Sequence, residues 1–210
     1  TVSNVAAFRA RLAELRDWIN RIYIQDILTV AGVSAYAPFM TAGDSGGNYL
    51  AYGGFDQDSQ GAVKFLPSGV ILNDDVMNVQ SFDENAITES VAYSWYDDST
   101  EGLNPKNGKT EPEVEKNNGY SFLKAPRYNG QPMEVGPLAR MLVAYGSGNQ
   151  RVQGLVNGAL SELKLQPAAL FSTLGRVAAR ALETVFLLDL MEGWLDELAR
   201  NMQSGDLRIH

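Results

Sequence analysis

The chain has 210 residues, and 45% of them are hydrophobic, which is enough apolar sequence for a sizeable core. Its formal net charge of −8 excludes nucleic acid and anionic membrane surfaces as partners, because both attract basic proteins. No run approaches the roughly 18 uninterrupted apolar residues of a membrane-spanning helix, so no transmembrane segment is expected in this sequence.

Cysteine is absent from the sequence, and the single histidine, His210, is its last residue. Zinc, copper, iron–sulfur and thiolate-bound nickel sites all draw their ligands from cysteine or histidine. The chain alone is therefore predicted to bind no metal and no cofactor, and to contain no catalytic residue.

Residues 1–40 are predicted to form one long helix. Apolar residues recur there at three- and four-residue spacing, as one stripe made of Val5, Phe8, Leu12, Leu15, Ile19 and Ile22. Pro38 disfavours helical geometry at Ala37, so the helix is expected to end there or earlier. A stripe this narrow suits packing against other helices, either inside one bundle or on a partner chain.

Residues 41–82 are predicted to form a small β region. Their glycine-rich beginning lacks the Gly-Lys-Ser/Thr ending of a phosphate-binding loop, so a turn-rich loop is expected instead. Runs typical of strands occur at 49–52, 62–66 and 70–72 and predict an antiparallel sheet or meander. Residues 56–61 look like the start of a calcium-binding loop, but Pro67 stands where the bidentate glutamate belongs, so that match fails.

Residues 83–135 are predicted to contain one helix and long loops. Asp83 is placed to cap a helix that begins near Glu84. The apolar face of this helix would carry Ile87, Val91 and Trp95. Residues 97–119 are rich in polar residues, glycine and proline, and we expect a solvated loop there.

The stretch 120–140 holds four charged side chains among apolar and aromatic neighbours: Lys124, Arg127, Glu134 and Arg140. Its prolines and glycines rule out one regular element, since Asn129-Gly130 indicates a turn and Gly136-Pro137 the start of a helix. An unpaired buried charge is strongly destabilising. We therefore predict a structural ion-pair knot of Arg127, Glu134 and Arg140, with direct participation in chemistry as the alternative.

Residues 136–205 are predicted to be helical, in three helices at about 137–145, 149–163 and from Pro167 to just before Gly205. Small residues in the last helix, beginning with Gly175, let another backbone come close. The first and last helices are expected to lie side by side, because their apolar stripes match. The predicted fold class is mainly α: long helices of a bundle with a small antiparallel β region, as part of a larger multi-chain fold.

Several motifs resemble those of one family. They are Lys124-Ala-Pro-Arg-Tyr128, Pro132-Met-Glu-Val-Gly-Pro-Leu-Ala-Arg140, Ser90-Val-Ala-Tyr-Ser-Trp-Tyr96, Ser172-Thr-Leu-Gly-Arg176 and Trp194-Leu-Asp-Glu-Leu198. Over essentially the whole chain the sequence resembles the large subunit of nickel–iron hydrogenases, the hydrogen-oxidising uptake type in particular. The likeness covers a central segment of that subunit, residues 1–210 here, which is not expected to fold autonomously. Both cysteine-pair ends of the family lie outside it.

The resemblance implies reversible splitting of dihydrogen at a cysteine-bound nickel–iron centre, with iron–sulfur clusters in a separate small subunit. It also implies that Glu89 and Lys124 belong to the outer shell of a structural magnesium site, where side chains orient ligands through bound water. The alternative for both residues is membership in a buried ion pair. Three positions depart from the family pattern: histidine is usual at Tyr93 and Asn104, and tryptophan at Phe122.

Two functions remain open from the sequence. In the first, the chain is the cysteine-free middle piece of a divided nickel–iron hydrogenase large subunit, non-catalytic by itself. Its partners would be chains that supply the missing N-terminal and C-terminal parts, together with the iron–sulfur small subunit. In the second, it is a cofactorless structural or interaction protein derived from a hydrogenase large subunit. The retained charges of stretch 120–140 favour the first function.

The resemblance also favours a periplasmic location, reached by co-export with a small subunit, over a cytoplasmic one.

Overall fold

The computed structural model describes residues 2–206, which form two compact units. Within these residues, the first unit combines 2–44 with 144–206, and the second comprises 45–143. About half of the chain is helical, and its sheets are small and antiparallel. The prediction of a mainly α fold with a small antiparallel β region is confirmed.

The first unit begins with a nearly continuous helical segment. Its parts are α1 (Val2–Trp18), a π-helical turn (Ile19–Tyr23), α2 (Ile24–Gly32) and a 3-10 segment (Ser34–Met40). The α-helical part ends at Gly32, where Val33 takes up an extended conformation, and Pro38 lies within the 3-10 segment. The sequence predicted one long helix over 1–40; in the structure the α- and π-helical part ends at Gly32, and no local pattern indicated the π turn.

Three more helices follow in the later part of the chain. They are α3 (Pro137–Gly146), α4 (Gln150–Leu163) and α5 (Thr173–Gln203), with a 3-10 turn at Pro167–Phe171 before α5. Asn149 caps α4 by accepting a hydrogen bond from Val152 N at 3.1 Å, and Ser172 caps α5 in the same way. The 31 residues of α5 span about 46 Å. The boundary between the two units falls inside α3.

The predicted stripe of α1 divides into two seams. Leu12 and Ile19 are buried against Val185 and Leu188 of α5, which confirms that the first and last helices lie side by side. The other seam stays open, with Phe8, Leu15 and Ile22 exposed by 50%, 45% and 42%. Each seam repeats every seven residues, so α1 packs through one narrow line rather than through the whole stripe.

An ion-pair network joins α1, α4 and α5 within the first unit. Arg16 donates to Asp189 and to Glu192, both at 2.8 Å, and Arg151 also donates to Asp189, at 2.7 Å. Asp189 therefore accepts from two arginines on different helices.

No helix in the range 2–206 is both long and apolar enough to cross a membrane.

The second unit opens with two antiparallel strand pairs, one nested inside the other. The strands are β1 (Tyr49–Ala51), β2 (Gly54–Asp56), β3 (Lys64–Leu66) and β4 (Gly69–Ile71). The outer pair is β1 with β4 and the inner pair is β2 with β3. The sequence predicted a β region over 41–82 with strands at 49–52, 62–66 and 70–72; β2 is the strand that it did not indicate.

The helix predicted from Glu84 is wrong. Asp83 does cap, but it caps a 3-10 turn at Glu84–Ala86, and the chain then enters β5 (Ile87–Ser90). This strand pairs antiparallel with β6 (Ala125–Tyr128), and Thr88 lies opposite Arg127. Pairing with a distant strand outweighs the helical spacing of the apolar residues, and the β-branched pair Ile87-Thr88 favours the strand.

The turn at 58–63 is held by the carboxylate of Asp58. Asp58 accepts backbone hydrogen bonds from Val63 at 2.8 Å, from Ala62 at 3.1 Å and from Gln60 at 2.8 Å. These N–H donors, that of Val63 above all, lower the pKa of Asp58 below its usual value of 3.8.

We expect the turn around Asp58 to loosen only in strong acid. Because the folded pKa is depressed, its stabilisation is complete above pH about 3.8 and is lost as the pH falls through the folded value. The Val63 amide resonance should therefore titrate with a midpoint below 3.8, measured by NMR, and Asp58→Asn should abolish this pH step. A midpoint at or above 3.8 would contradict the assignment.

Candidate functional site

The pairing of β5 with β6 brings Glu89 and Lys124 together. In this ladder Glu89 lies opposite Pro126, and Lys124 directly precedes β6. Lys124 Nζ lies 3.3 Å from Glu89 Oε2, and the two side chains are 15% and 25% exposed. The two residues thus form an ion pair, as one sequence alternative proposed, but the pair is partly rather than fully buried. The magnesium role proposed as the other alternative stays a prediction.

Lys124 is held by more than its carboxylate partner. Its ammonium also donates to the carbonyl oxygen of Lys109 at 2.6 Å and lies 5.3 Å from the centre of the Tyr96 ring. Three kinds of partner fix this cation, since an ammonium has three donors and is attracted to an aromatic face. The backbone of the loop also approaches Glu89 closely, because a Cβ atom at Gly108 would lie 3.1 Å from its Oε2.

The donor set does not fit a nickel–iron centre. Such a centre needs thiolate ligands, and the sequence contains no cysteine. Across residues 2–206 no group of three His, Cys, Asp or Glu side chains could hold a metal ion, and His210 lies outside the described residues. For magnesium the fit is different: Glu89 is a carboxylate fixed by a lysine, which suits hydrogen bonding to metal-bound water rather than direct ligation.

The three members of the predicted ion-pair knot lie on different elements. Arg127 is on β6, Glu134 on the loop before α3, and Arg140 on α3. All three side chains are partly exposed, so the burial assumed for them is wrong. The Arg127 guanidinium donates to the carbonyl oxygen of Pro126 at 2.8 Å. The knot itself stays a prediction.

Glu134 takes part in a polar cluster around a buried tyrosine. Its backbone joins β1, where it accepts from Leu50 N at 2.9 Å, and its carboxylate accepts from the Ser45 hydroxyl. Tyr49 is fully buried and donates its hydroxyl to Asp74 at 3.0 Å. Burial first, and then the Asp74 carboxylate, raises the pKa of Tyr49 far above its ordinary value. Tyr49 therefore remains a neutral donor, which is a structural role.

Sequence reasoning missed Lys116, which organises the loop next to the site. Its side chain is only 9% exposed, and its ammonium donates to Val91 O at 2.9 Å and to Tyr96 O at 3.1 Å. It also pairs with Asp98 at 2.5 Å. No sequence signal singles it out, because two of its three acceptors are backbone carbonyls brought close by the fold.

The departures from the family pattern have local partners. Asn104 donates to the carbonyl oxygens of Glu84 and Ile87, at 3.0 and 2.9 Å, and so ties its loop to β5. The Phe122 ring lies 4.8 Å from that of Trp95, and the Tyr93 ring lies 6.5 Å from that of Tyr120. Each replacement is therefore accommodated inside the second unit.

The chain belongs to the nickel-dependent hydrogenase family, whose sequence model matches residues 1–210. The family resemblance seen in the sequence is confirmed.

The similar proteins are large subunits of hydrogenases. The uptake hydrogenase large subunits of Bradyrhizobium diazoefficiens and of Rhizobium leguminosarum bv. viciae are each 36% identical, over 93% and 92% of this chain. Among solved structures, the Ni-Fe-Se hydrogenase from Desulfovibrio vulgaris Hildenborough in the reduced state is 34% identical, with a TM-score of 0.77 over 93% of this chain.

The matches cover nearly all of this chain but less than half of each relative. The chain spans 36% of the length of each of the two uptake hydrogenase subunits and 40% of the Desulfovibrio vulgaris chain. What those whole proteins do is therefore a proposal for the residues described.

Proposed function

We propose that this chain is the central portion of the large subunit of an uptake-type nickel–iron hydrogenase. In this role it supports the reversible oxidation of dihydrogen at a metal centre whose thiolate ligands lie outside these 210 residues. One observation carries the proposal: the whole chain matches the family, and 93% of it superposes on a solved hydrogenase at 34% identity.

In this proposal the long helices belong to a bundle around the metal centre. The packing of α1 on α5 and the Arg16–Asp189 contact support the idea, because they join elements more than 170 residues apart into one body. The nickel–iron centre supplies the hydrogen chemistry when bound. The residues of this chain hold the surrounding helices in place.

The partners in this proposal are the parts of the large subunit that carry the cysteines and an iron–sulfur small subunit. Those large-subunit parts are flanking segments of the same polypeptide or separate chains. The divided subunit expected from the sequence is the second of these arrangements. A periplasmic location, reached by export with the small subunit, completes the proposal.

The test is purification of the native protein through a tag inserted at an exposed loop. Elemental analysis measures nickel and iron, and hydrogen-dependent dye reduction measures activity. Mass spectrometry of every chain then locates the cysteine-bearing segments. We expect nickel, iron and activity in one complex. Separate cysteine-bearing chains would establish the divided subunit, whereas a stable metal-free assembly would overturn the proposal in favour of a structural or interaction protein.

The proposed magnesium role of Glu89 predicts a specific loss. Glu89→Gln removes the charge without changing the size of the side chain, and outer-shell changes of this kind weaken metal affinity about 10-fold or more. We expect a correspondingly lower magnesium content after dialysis, measured by elemental analysis of the purified complex. The matched control is Glu84→Gln, which removes an exposed carboxylate paired with Lys106. Equal magnesium in both variants would leave Glu89 as an ion-pair member only.

A further inference from the structure

The first unit contains an apolar groove of about 520 Å³ between α2, α4 and α5. Its walls are formed mainly by aliphatic side chains, among them Ile24, Ile27, Leu155, Leu163 and Leu182. The second unit contributes no residue to this lining. A groove of this size and composition is large enough for a ligand or for one face of a helix.

Two glycines in α4 indicate which of these occupants the groove receives. Gly154 and Gly158 are four residues apart and both line the groove. Each makes the helix less stable than alanine would at the same position. A Cβ atom at either position would meet nothing within 4 Å, so nothing in the described chain requires glycine there. Glycine at both positions is explained if another backbone comes close to α4 from outside.

The charged residues of the groove lining further restrict what kind of segment can occupy it. The lining includes two carboxylates, Asp26 in the first turn of α2 and Glu162 in the last turn of α4. Both side chains are exposed, and neither is held by an ion pair within the described residues. An occupant with lysine or arginine beside its apolar face would complement them.

We propose that the groove receives an apolar helix from a part of the hydrogenase large subunit outside residues 1–210. This inference rests on the proposed function. The matches cover 93% of this chain but only 36–40% of the relatives, so most of the large-subunit fold lies outside this chain. The helix crosses α4 at Gly154 and Gly158 and places aliphatic residues at i, i+3, i+4 and i+7 in the groove. It carries a basic residue that faces Asp26 or Glu162.

Photo-crosslinking of the native complex identifies the occupant. Photo-leucine incorporated throughout the protein places reactive groups at Leu155 and Leu163 with little change of shape. We expect both to crosslink to one helical segment of the large subunit beyond residues 1–210. The control position is Leu198, an exposed leucine of α5 outside the groove. Crosslinks to lipid, to a second copy of residues 1–210, to an unrelated protein or to solvent would each overturn the inference.

Glycine replacement tests the close approach independently. Gly154→Ala with Gly158→Ala should lower the melting temperature of the complex by several degrees, because the added methyl groups meet the incoming backbone. The control is Gly193→Ala in α5, which has equally open surroundings but lies outside the groove. If the double variant melts at a higher temperature than the parent, the groove is open and the inference fails. Nickel and iron measured in the same samples test the proposed function separately.

Discussion

Replacing Gly175 by alanine is expected to lower the free energy of unfolding by about 3 kcal/mol, the upper end of the usual cost of overpacking. The added Cβ atom would overlap the carbonyl oxygen of Leu170 and lie 2.6 Å from its carbonyl carbon. It would also lie 2.7 Å from the carbonyl oxygen of Ala169. These are backbone atoms of the 3-10 turn before α5, so they cannot swing aside as a side-chain end would. The measurement is urea denaturation of the purified native protein.

Gly193→Ala is the matched control for Gly175→Ala, because it makes the same change in the same helix. A Cβ atom at Gly193 meets nothing within 4 Å, so only the helix propensity changes. We expect stabilisation of up to about 1 kcal/mol. The close approach of residues 169–170 to α5 would be refuted if Gly175→Ala stabilised the protein, or if the two substitutions changed its stability equally.

The behaviour of α5 shows what could be predicted from the sequence. The glycine after its end is a local signal, and the end predicted just before Gly205 agrees with the observed end at Gln203. The predicted start at Pro167 is six residues too early, because the helix begins at Thr173. The small residue at Gly175 correctly indicated a close backbone. The sequence did not show that residues 167–171 form a 3-10 turn, since Pro167 is equally suited to start either kind of helix.

The predictions that failed depend on contacts between distant residues. Ile87, Val91 and Trp95 have the spacing of a helix face, but β5 is created by its pairing with β6, more than 30 residues later in the chain. Likewise, the stripe on α1 could not reveal which of its residues would meet α5. Periodicity describes a surface, whereas the partner that covers it is set by the tertiary fold.

The candidate site was found by family motif rather than by residue chemistry. Glu89 and Lys124 are 35 residues apart, and neither stands in a recognisable metal-binding spacing. Only their likeness to known positions paired them, and the β5–β6 register explains why they meet. Sequence reasoning could not find Lys116, because its partners are mainly main-chain atoms, which carry no residue-specific signal.

Replacing Lys116 by methionine is expected to lower the free energy of unfolding by about 3 kcal/mol. Methionine keeps most of the aliphatic stem, so the loss comes from the ammonium and its hydrogen bonds. Val91 O retains a second donor, Ser94 N at 2.9 Å, whereas Tyr96 O loses the charged donor at 3.1 Å. Asp98 loses its ion pair as well, but it is a well-exposed carboxylate that water solvates. The measurement is urea denaturation of the native protein, supported by faster proteolysis of the 97–119 loop.

Lys109→Met is the control for Lys116→Met, since it removes the same charge from the same loop. The Lys109 side chain is 69% exposed, and its ion pair with Glu111 is long, at 3.6 Å. Its backbone carbonyl, which Lys124 uses, is unchanged by the substitution. We expect a change within about 0.5 kcal/mol. If Lys116→Met proves as mild as this control, the buried ammonium does not hold the loop, and the 97–119 segment is stabilised by its 3-10 turns and backbone hydrogen bonds alone.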